Sequence, residues 1–234
     1  MTATAEHQAV LIDEASLKVI TRLPAGDYPD GLAYDPSDHK LYISDEGGKA
    51  EPVIDTISNK ALPSIPLGGE AGNTQYDPVS GHIFVDVQSQ NELVEIDPKT
   101  DRIAAHYQLT GCQNDHSLQL DPAQHLAYIT CDANATLLVL DMQQGMKQLS
   151  LQTVGASPDV LALDSDVNLL YVACESGSVS IFKVSRSGIL KIGEGFVAAD
   201  AHTIAVDPGT HRLYLPIPGA GDKPVLRIME LHLP

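Results

Sequence analysis

The chain has no tryptophan, and aromatic residues make up only 5% of it. Stacking platforms for sugars or bases need aromatic faces, so that kind of recognition is poorly served. Basic residues are also scarce. Fourteen Lys and Arg stand against 31 Asp and Glu, a formal net charge of −17. Binding a phosphate backbone requires clustered Lys and Arg, which argues against nucleic acid as a partner. The acidic balance favours solubility and also draws cations toward any acidic mouth. No apolar run approaches the roughly 18 residues of a membrane helix, so no membrane partner is expected. The opening residues, MTATAEHQAV, hold neither a basic region nor an apolar core of the secretory type. The chain therefore reads as cytoplasmic, or as the mature form of an exported protein. It also has no CxxCH, GxSxG or P-loop motif, which removes haem attachment, the serine-hydrolase elbow and nucleotide cradling.

What the chain does have is a phrase used five times: GLAYDPSDHKLYIS, NTQYDPVSGHIFVD, SLQLDPAQHLAYIT, VLALDSDVNLLYVA and TIAVDPGTHRLYLP. Each copy is an apolar stretch, an Asp that opens a turn, and a second apolar stretch. The turn-opening residues Asp35, Asp77, Asp121, Asp164 and Asp207 recur at spacings of 42, 44, 43 and 43. Short strands repeating every forty-odd residues are the signature of a β-propeller, one four-stranded blade per repeat. The second copy shows the anatomy: strand A over 73–77, a Pro-Val-Ser-Gly turn, strand B over 82–87, strand C over 91–97 and strand D over 102–109. Asp and Pro each preset turn geometry, so these turns need no functional explanation.

The expectation is a single all-β domain over 1–234, a propeller of five four-stranded blades. The repeats run about 27–69, 70–111, 112–154, 155–197 and 198–234. Residues 9–26 read as C- and D-type strands, while the C-terminus supplies A, B and a C-like strand, so N-terminal strands are expected to close the last blade. Both ends then offer a C-type strand. Either one is an extra outer strand, or the chain is a segment of a longer propeller.

VIDT (53–56), IPLGG (65–69) and YDPVSG (76–81) resemble the YVTN-repeat propellers, a group similar to streptogramin-lyase-like and surface-layer-type propellers. The resemblance spans nearly the whole chain. It implies a propeller fold and leaves function open, because the group holds binders as well as enzymes.

Repeat arithmetic sorts the histidines. His39, His82, His125 and His211 lie four or five residues after the turn-opening Asp and read as surface turn residues. Five residues before it, where the chain enters the innermost strand, stand Asp30, Gly72, His116, Asp159 and His202, with Asn73 next to Gly72. In a propeller this register lines one mouth of the central channel. Imidazoles mixed with carboxylates suit a divalent transition metal (Zn, Mn, Fe, Ni or Cu) better than Ca or Mg, which prefer oxygen cages. The proposed ligands are Asp30, His116, Asp159 and His202, with Asn73 as a fifth ligand or substrate contact. The alternative is a hydrogen-bonded polar plug.

Eleven residues after each turn-opening Asp stand Glu46, Gln88, Asp132, Glu175 and Pro218, a second ring facing the same mouth. Glu175 and Glu46 are the candidates for a general base, and Gln88 and Asp132 for substrate contacts, with Asp45 and Asp115 as further carboxylates. The alternative is a solvated acidic rim. Cys112, lying just before strand A, and Cys131, at the end of strand B, fall at the same end of one blade, so a disulfide there would brace the loop carrying His116 and suggest an oxidising compartment. The alternative is three reduced thiols, Cys174 included. The functional expectation is a metal-dependent hydrolase or lyase acting on a small molecule. A propeller that binds a protein or small ligand without catalysis is the other reading.

Overall fold

The computed structural model describes residues 1–220 and 223–230. The described residues are all-β and form six sheets of the propeller-blade type, and the chain divides into two compact units, Met1–Thr110 and Gly111–Pro234. The first unit holds β1 (Thr2–Ala3), β2 (Gln8–Asp13) and β3 (Lys18–Pro24) in one sheet. Its second sheet is β4 (Pro29–Asp35), β5 (Lys40–Asp45), β6 (Ala50–Asp55) and β7 (Lys60–Pro66). Its third is β8 (Ala71–Asp77), β9 (His82–Val87), β10 (Glu92–Asp97) and β11 (Arg102–Gln108). The second unit begins with β12 (Asp115–Asp121), β13 (Leu126–Cys131), β14 (Thr136–Asp141) and β15 (Lys147–Thr153). Next come β16 (Pro158–Asp164), β17 (Leu169–Cys174), β18 (Ser178–Ser185) and β19 (Gly188–Phe196). The last sheet is β20 (Ala205–Asp207), β21 (Arg212–Ala220) and β22 (Lys223–Glu230). Neighbouring strands pair antiparallel throughout. Among the described residues no helix is long and apolar enough to cross a membrane.

The expectation of five blades is corrected to six, and the N-terminal strands do not complete the last sheet. β2 pairs with β1 on one side and β3 on the other, while β21 pairs with β20 and β22. The five-fold count rested on the Asp-opened A–B hairpin, which the first sheet does not contain. That sheet does carry a feature of two other sheets, a single 3₁₀ turn before strand C. Thr4–Glu6, Gln88–Gln90 and Asp132–Asn134 are equivalent turns, closed by His7, Asn91 and Ala135 in the left-handed region. The segment TAEHQAVLID thus matches QSQNELVEID and is the signal that reveals a sixth sheet.

The inner strands are apolar on both faces because each is packed on both sides, while outer strands such as β3 and β15 are largely exposed. In β5, Tyr42 enters the core shared with Val53, Ile83, Val85 and Val94, while Ile43 enters the one shared with Ala9, Ala25 and Ile54. In β17 the alternation repeats. Leu170 and Val172 pack with Leu126, Tyr128 and Phe182, and Leu169, Tyr171 and Ala173 pack with Leu213, Leu215 and Ile217. A period of two thus assigns successive side chains to different inter-sheet cores.

Cys112 and Cys131 form a disulfide with their Cα atoms 5.3 Å apart. Cys174 remains a buried free thiol, and burial pushes its pKa up to about 11, which leaves it protonated and unreactive. The bridged residues are 19 apart in sequence. Chain-entropy arguments give such a loop about 3 kcal/mol of stabilisation. The Cys112→Ser/Cys131→Ser variant is therefore expected to unfold at lower urea concentration by about that free energy, and reductant should shift the parent but not the variant. Superimposable parent curves with and without reductant would show that the bridge does not stabilise the fold.

Candidate functional site

The residues singled out at the entry of strand A share a structural cause. In four sheets the pairing between the first two of the A, B, C and D strands slips by one residue at this point. The slips lie between Pro29 and Leu32, Ala71 and Thr74, Asp115 and Ser117, and Pro158 and Leu161. A β-bulge places one extra residue against its partner strand and re-aims its side chain. Asp30, Gly72 and Asn73, His116, and Asp159 all sit in these slips. His202 lies just ahead of β20.

In the second unit the bulges bring a cluster together. The Asp159 carboxylate lies between two imidazoles. His116 Nε2 is 3.2 Å from one oxygen, and His202 Nδ1 makes a short hydrogen bond with the other. Glu175, at the end of β17, joins the group: one ligand atom each from Asp159, Glu175 and His202 lie within 4.8 Å of one another. Glu175 is exposed, whereas Asp159 and His202 are half-buried. Burial alone would raise the Asp159 pKa, but hydrogen bonds and charge from His116 and His202 outweigh it, and the pKa is lowered overall. The cluster therefore holds an ionised carboxylate between two ring nitrogens, with a second carboxylate facing solvent.

The loop before His116 is firmly held. The amides of Asp132 and Ala133 donate to the carbonyls of Asn114 (2.9 Å) and Gln113 (3.1 Å), and the disulfide ties Cys112 to the end of β13. Glu175 is fixed in the same way, its amide donating to the Ser157 carbonyl at 2.8 Å. Beside His202 lies a cavity of about 470 Å³ walled by Pro216, Ile217, Pro218 and Leu226. The cluster thus borders space in which a small molecule could sit.

Each of the other expected site residues has its own local setting. Asp30 and Asn73 occupy equivalent bulges in the first unit. Asp30 is exposed, and its backbone carbonyl accepts from the Thr2 hydroxyl at 3.0 Å. The Asn73 side-chain oxygen accepts from the Thr74 amide at 2.8 Å. It also fills the space where a Cβ on Gly31 would come within 2.6 Å of it, so Gly31 is needed there. Glu46 and Gln88, also in the first unit, begin turns after strand B, and Gln88 is buried. Asp132 starts the equivalent 3₁₀ turn in the second unit, and Pro218 lines the cavity beside His202. Asp45 and Asp115 are buried, not solvent-facing rim carboxylates. Asp45 accepts hydrogen bonds from the amides of Asp27, Tyr28 and Gly48 at 2.9, 2.7 and 3.0 Å. Of the turn histidines, His39, His125 and His211 take positive φ, as turn-closing residues do, and His211 also reaches the buried Asp164 carboxylate at 2.9 Å.

One charged group escaped the repeat arithmetic. Glu51 in β6 is fully buried, and neither carboxylate oxygen has a partner of good geometry. The Thr74 hydroxyl nearby is directed at the Phe84 carbonyl, 3.3 Å away. Burial, and more weakly the negative charge of Asp45, push the Glu51 pKa up to about 8 despite some help from Thr74. A charged residue inside the run AEPVID is the only sequence signal for it.

No family model matches the chain, and no curated protein matches it by sequence. Solved structures do match in fold. A putative 6-phosphogluconolactonase from Bacteroides uniformis aligns with a TM-score of 0.81 at 13% identity, covering 96% of this chain and 74% of its own. A functionally unknown protein from Desulfotomaculum acetoxidans gives 0.77 at 14% identity, covering 96% and 83%. Hydrazine synthase from Kuenenia stuttgartiensis gives 0.65 at 10% identity, covering 97% and 90%. These neighbours share an architecture and differ in what they are named for, so the likeness carries the propeller fold and no particular chemistry.

The buried Glu51 makes a pH prediction. Its folded pKa of about 8 lies above the 4.5 of an ordinary glutamate, so the folded state holds a proton that the unfolded state releases. Its contribution is full below about pH 4.5 and is lost as pH rises toward about 8. In urea titrations across that window, the parent should lose stability relative to Glu51→Gln as pH rises. A stability difference independent of pH would show that Glu51 is already ionised in the fold.

Proposed function

We propose that His116, Asp159, His202 and Glu175 form a site for a divalent transition metal at which a small ester or lactone is hydrolysed. The carrying observation is the mutual approach of Asp159, Glu175 and His202 within 4.8 Å, from three separate segments of the second unit. Imidazole and carboxylate together suit Zn, Mn, Fe, Ni or Cu, and an exposed carboxylate on one side leaves a face open to water or substrate. Asp159 and His202 would be ligands. His116, bonded to the second Asp159 oxygen, would orient that carboxylate as outer-shell partners do. Glu175 would complete the ligand set or take the proton from attacking water. Asp132, in the second unit, would be a substrate contact, while Asp30, Asn73, Glu46 and Gln88 hold the equivalent register positions within the first unit.

The lactonase title belongs to a structural neighbour. Carried here as a suggestion, it agrees with carbonyl chemistry at a metal. The charge of −17 makes a phosphorylated lactone an unfavourable substrate, so a neutral ester or lactone fits this chain better. A second reading rests on one observation. Both Asp159 oxygens already bond imidazoles, which also describes a closed polar plug in a propeller that binds its partner elsewhere.

Plasma mass spectrometry on untagged protein separates the two. The metal reading expects about one transition-metal ion per chain in the parent, falling to trace in a folded His116→Ala/His202→Ala variant. Metal ligands must be deprotonated, so retention should also fall in acid. Glu175→Gln should keep the protein folded and lower kcat for a neutral lactone by about a hundredfold. Equal trace metal in parent and variant would leave the plug.

A further inference from the structure

We propose that a second, separate pocket between the sheets of β12–β15 and β16–β19 binds a neutral, mainly aliphatic molecule through one carbonyl or hydroxyl oxygen. The pocket has a volume of about 310 Å³ and is walled by Leu126, Val139, Val184 and Ile189, with Tyr128 and Arg186 also lining it. It shares no residue with the His–Asp cluster.

Its origin shows in a comparison of repeats. Tyr42 and Tyr128 both stand seven residues after a turn-opening Asp. In the first unit the Tyr42 hydroxyl donates to Asp101 at 2.7 Å, and Lys40 clamps the same carboxylate at 2.7 and 2.9 Å. Asp101 belongs to the C–D turn of the next sheet, where Asp97 pairs with Arg102 and residues 98–101 loop out. In the second unit the corresponding turn is two residues shorter, because Ser185 pairs with Gly188 and only 186–187 loop out. Leu126 replaces the lysine. Among the described residues no carboxylate bonds Tyr128, whose phenol oxygen is buried without a hydrogen-bond partner.

Neighbouring groups cannot easily close the gap. Arg186 is held in place: its amide and guanidinium bond Gln124 at 3.0 and 2.7 Å, and its other terminal nitrogen bonds Asp141 at 2.9 Å. The same contacts decide the ligand's charge. Arg186 is already neutralised by Asp141, and the chain is strongly acidic, so an anion gains little here. Burial raises the Tyr128 pKa, so the phenol stays protonated and offers a hydrogen to an acceptor oxygen. Aliphatic side chains make one part of the wall and Ser150, Ser185 and Ser187 another, with one unsatisfied donor at Tyr128, and apolar surface with a few placed polar groups is the usual design of a small-molecule pocket.

The test is a titration of methyl-labelled protein with cyclohexanone, followed by NMR. Saturable shifts are expected at the methyls of Leu126, Val139, Val184 and Ile189. Tyr128→Phe should weaken binding about fivefold or more, while its unfolding midpoint holds or rises because an unpaired hydroxyl has been removed. Leu126→Lys/Ser187→Asp, which rebuilds the Lys–Asp–Tyr arrangement of the first unit, should abolish the shifts. No saturable shift at these methyls up to about 10 mM cyclohexanone would overturn the proposal, as would equal binding by Tyr128→Phe.

Discussion

The turn-opening aspartate is the constraint on which the rest depends. Asp35, Asp77, Asp121 and Asp164 are almost fully buried. Asp35 accepts the Ser37 amide at 2.8 Å, Asp77 those of Val79 and Ser80 at 3.1 and 3.0 Å, and Asp121 that of Gln124 at 3.0 Å. Asp207 repeats the contact with Gly209 at 3.0 Å. A residue in the left-handed region then closes each turn: His39, Gly81, His125, Asn168 or His211. The outcome is one register in five hairpins, with Asp35 opposite Lys40, Asp77 opposite His82, Asp121 opposite Leu126, Asp164 opposite Leu169 and Asp207 opposite Arg212. A one-residue slip in any of them would send every side chain to the wrong inter-sheet core. Fixing the turn therefore fixes which residues meet much further along the strand.

That constraint explains what was legible. Strand positions, the all-β class and the propeller repeat follow from a spacing that any substitution of core Val for Ile would preserve. The number of sheets did not follow, because counting used the Asp hairpin as its unit. The first sheet is recognised by a 3₁₀ turn with a left-handed closing residue, a backbone feature that TAEH, QSQN and DANA share with almost no common side chains. Conformation recurs there without sequence identity, and phrase counting cannot detect it.

The site divides along the same line. Offset from the turn placed His116, Asp159 and His202 at one position, and the structure brings those three together with Glu175. The bulge that re-aims them was not legible, since a one-residue slip depends on pairing between strands and not on residue type. The burial of Asp45 and Asp115 was not legible for a related reason. A carboxylate at a strand end looks like a rim group until the backbone amides of Asp27, Tyr28 and Gly48 are seen to converge on the first of them. Glu51 has no such partners and keeps its proton instead, the cheaper solution for a carboxyl in an apolar strand.

Repetition and function meet where the aspartate turns exert no control. Hairpin A–B keeps one register in its five Asp-opened copies, yet the C–D turn varies from five looped residues at 142–146 to two at 186–187. The bulge positions vary from Asp and Gly to His. Neither change disturbs the inner cores, because C–D turns lie at sheet ends and bulge residues stand outside the regular pairing. A shortened turn costs the fold one ion pair and one phenol contact of the kind Lys40, Asp101 and Tyr42 make. A bulge that carries His in place of Gly costs it less. Such positions can therefore differ between copies without loss of the shared register. They are where one repeat acquires imidazoles around a carboxylate and another acquires an apolar gap beside an unsatisfied hydroxyl. The specialised features of this chain are departures from its own repeat, and they occur where the repeat is least constrained.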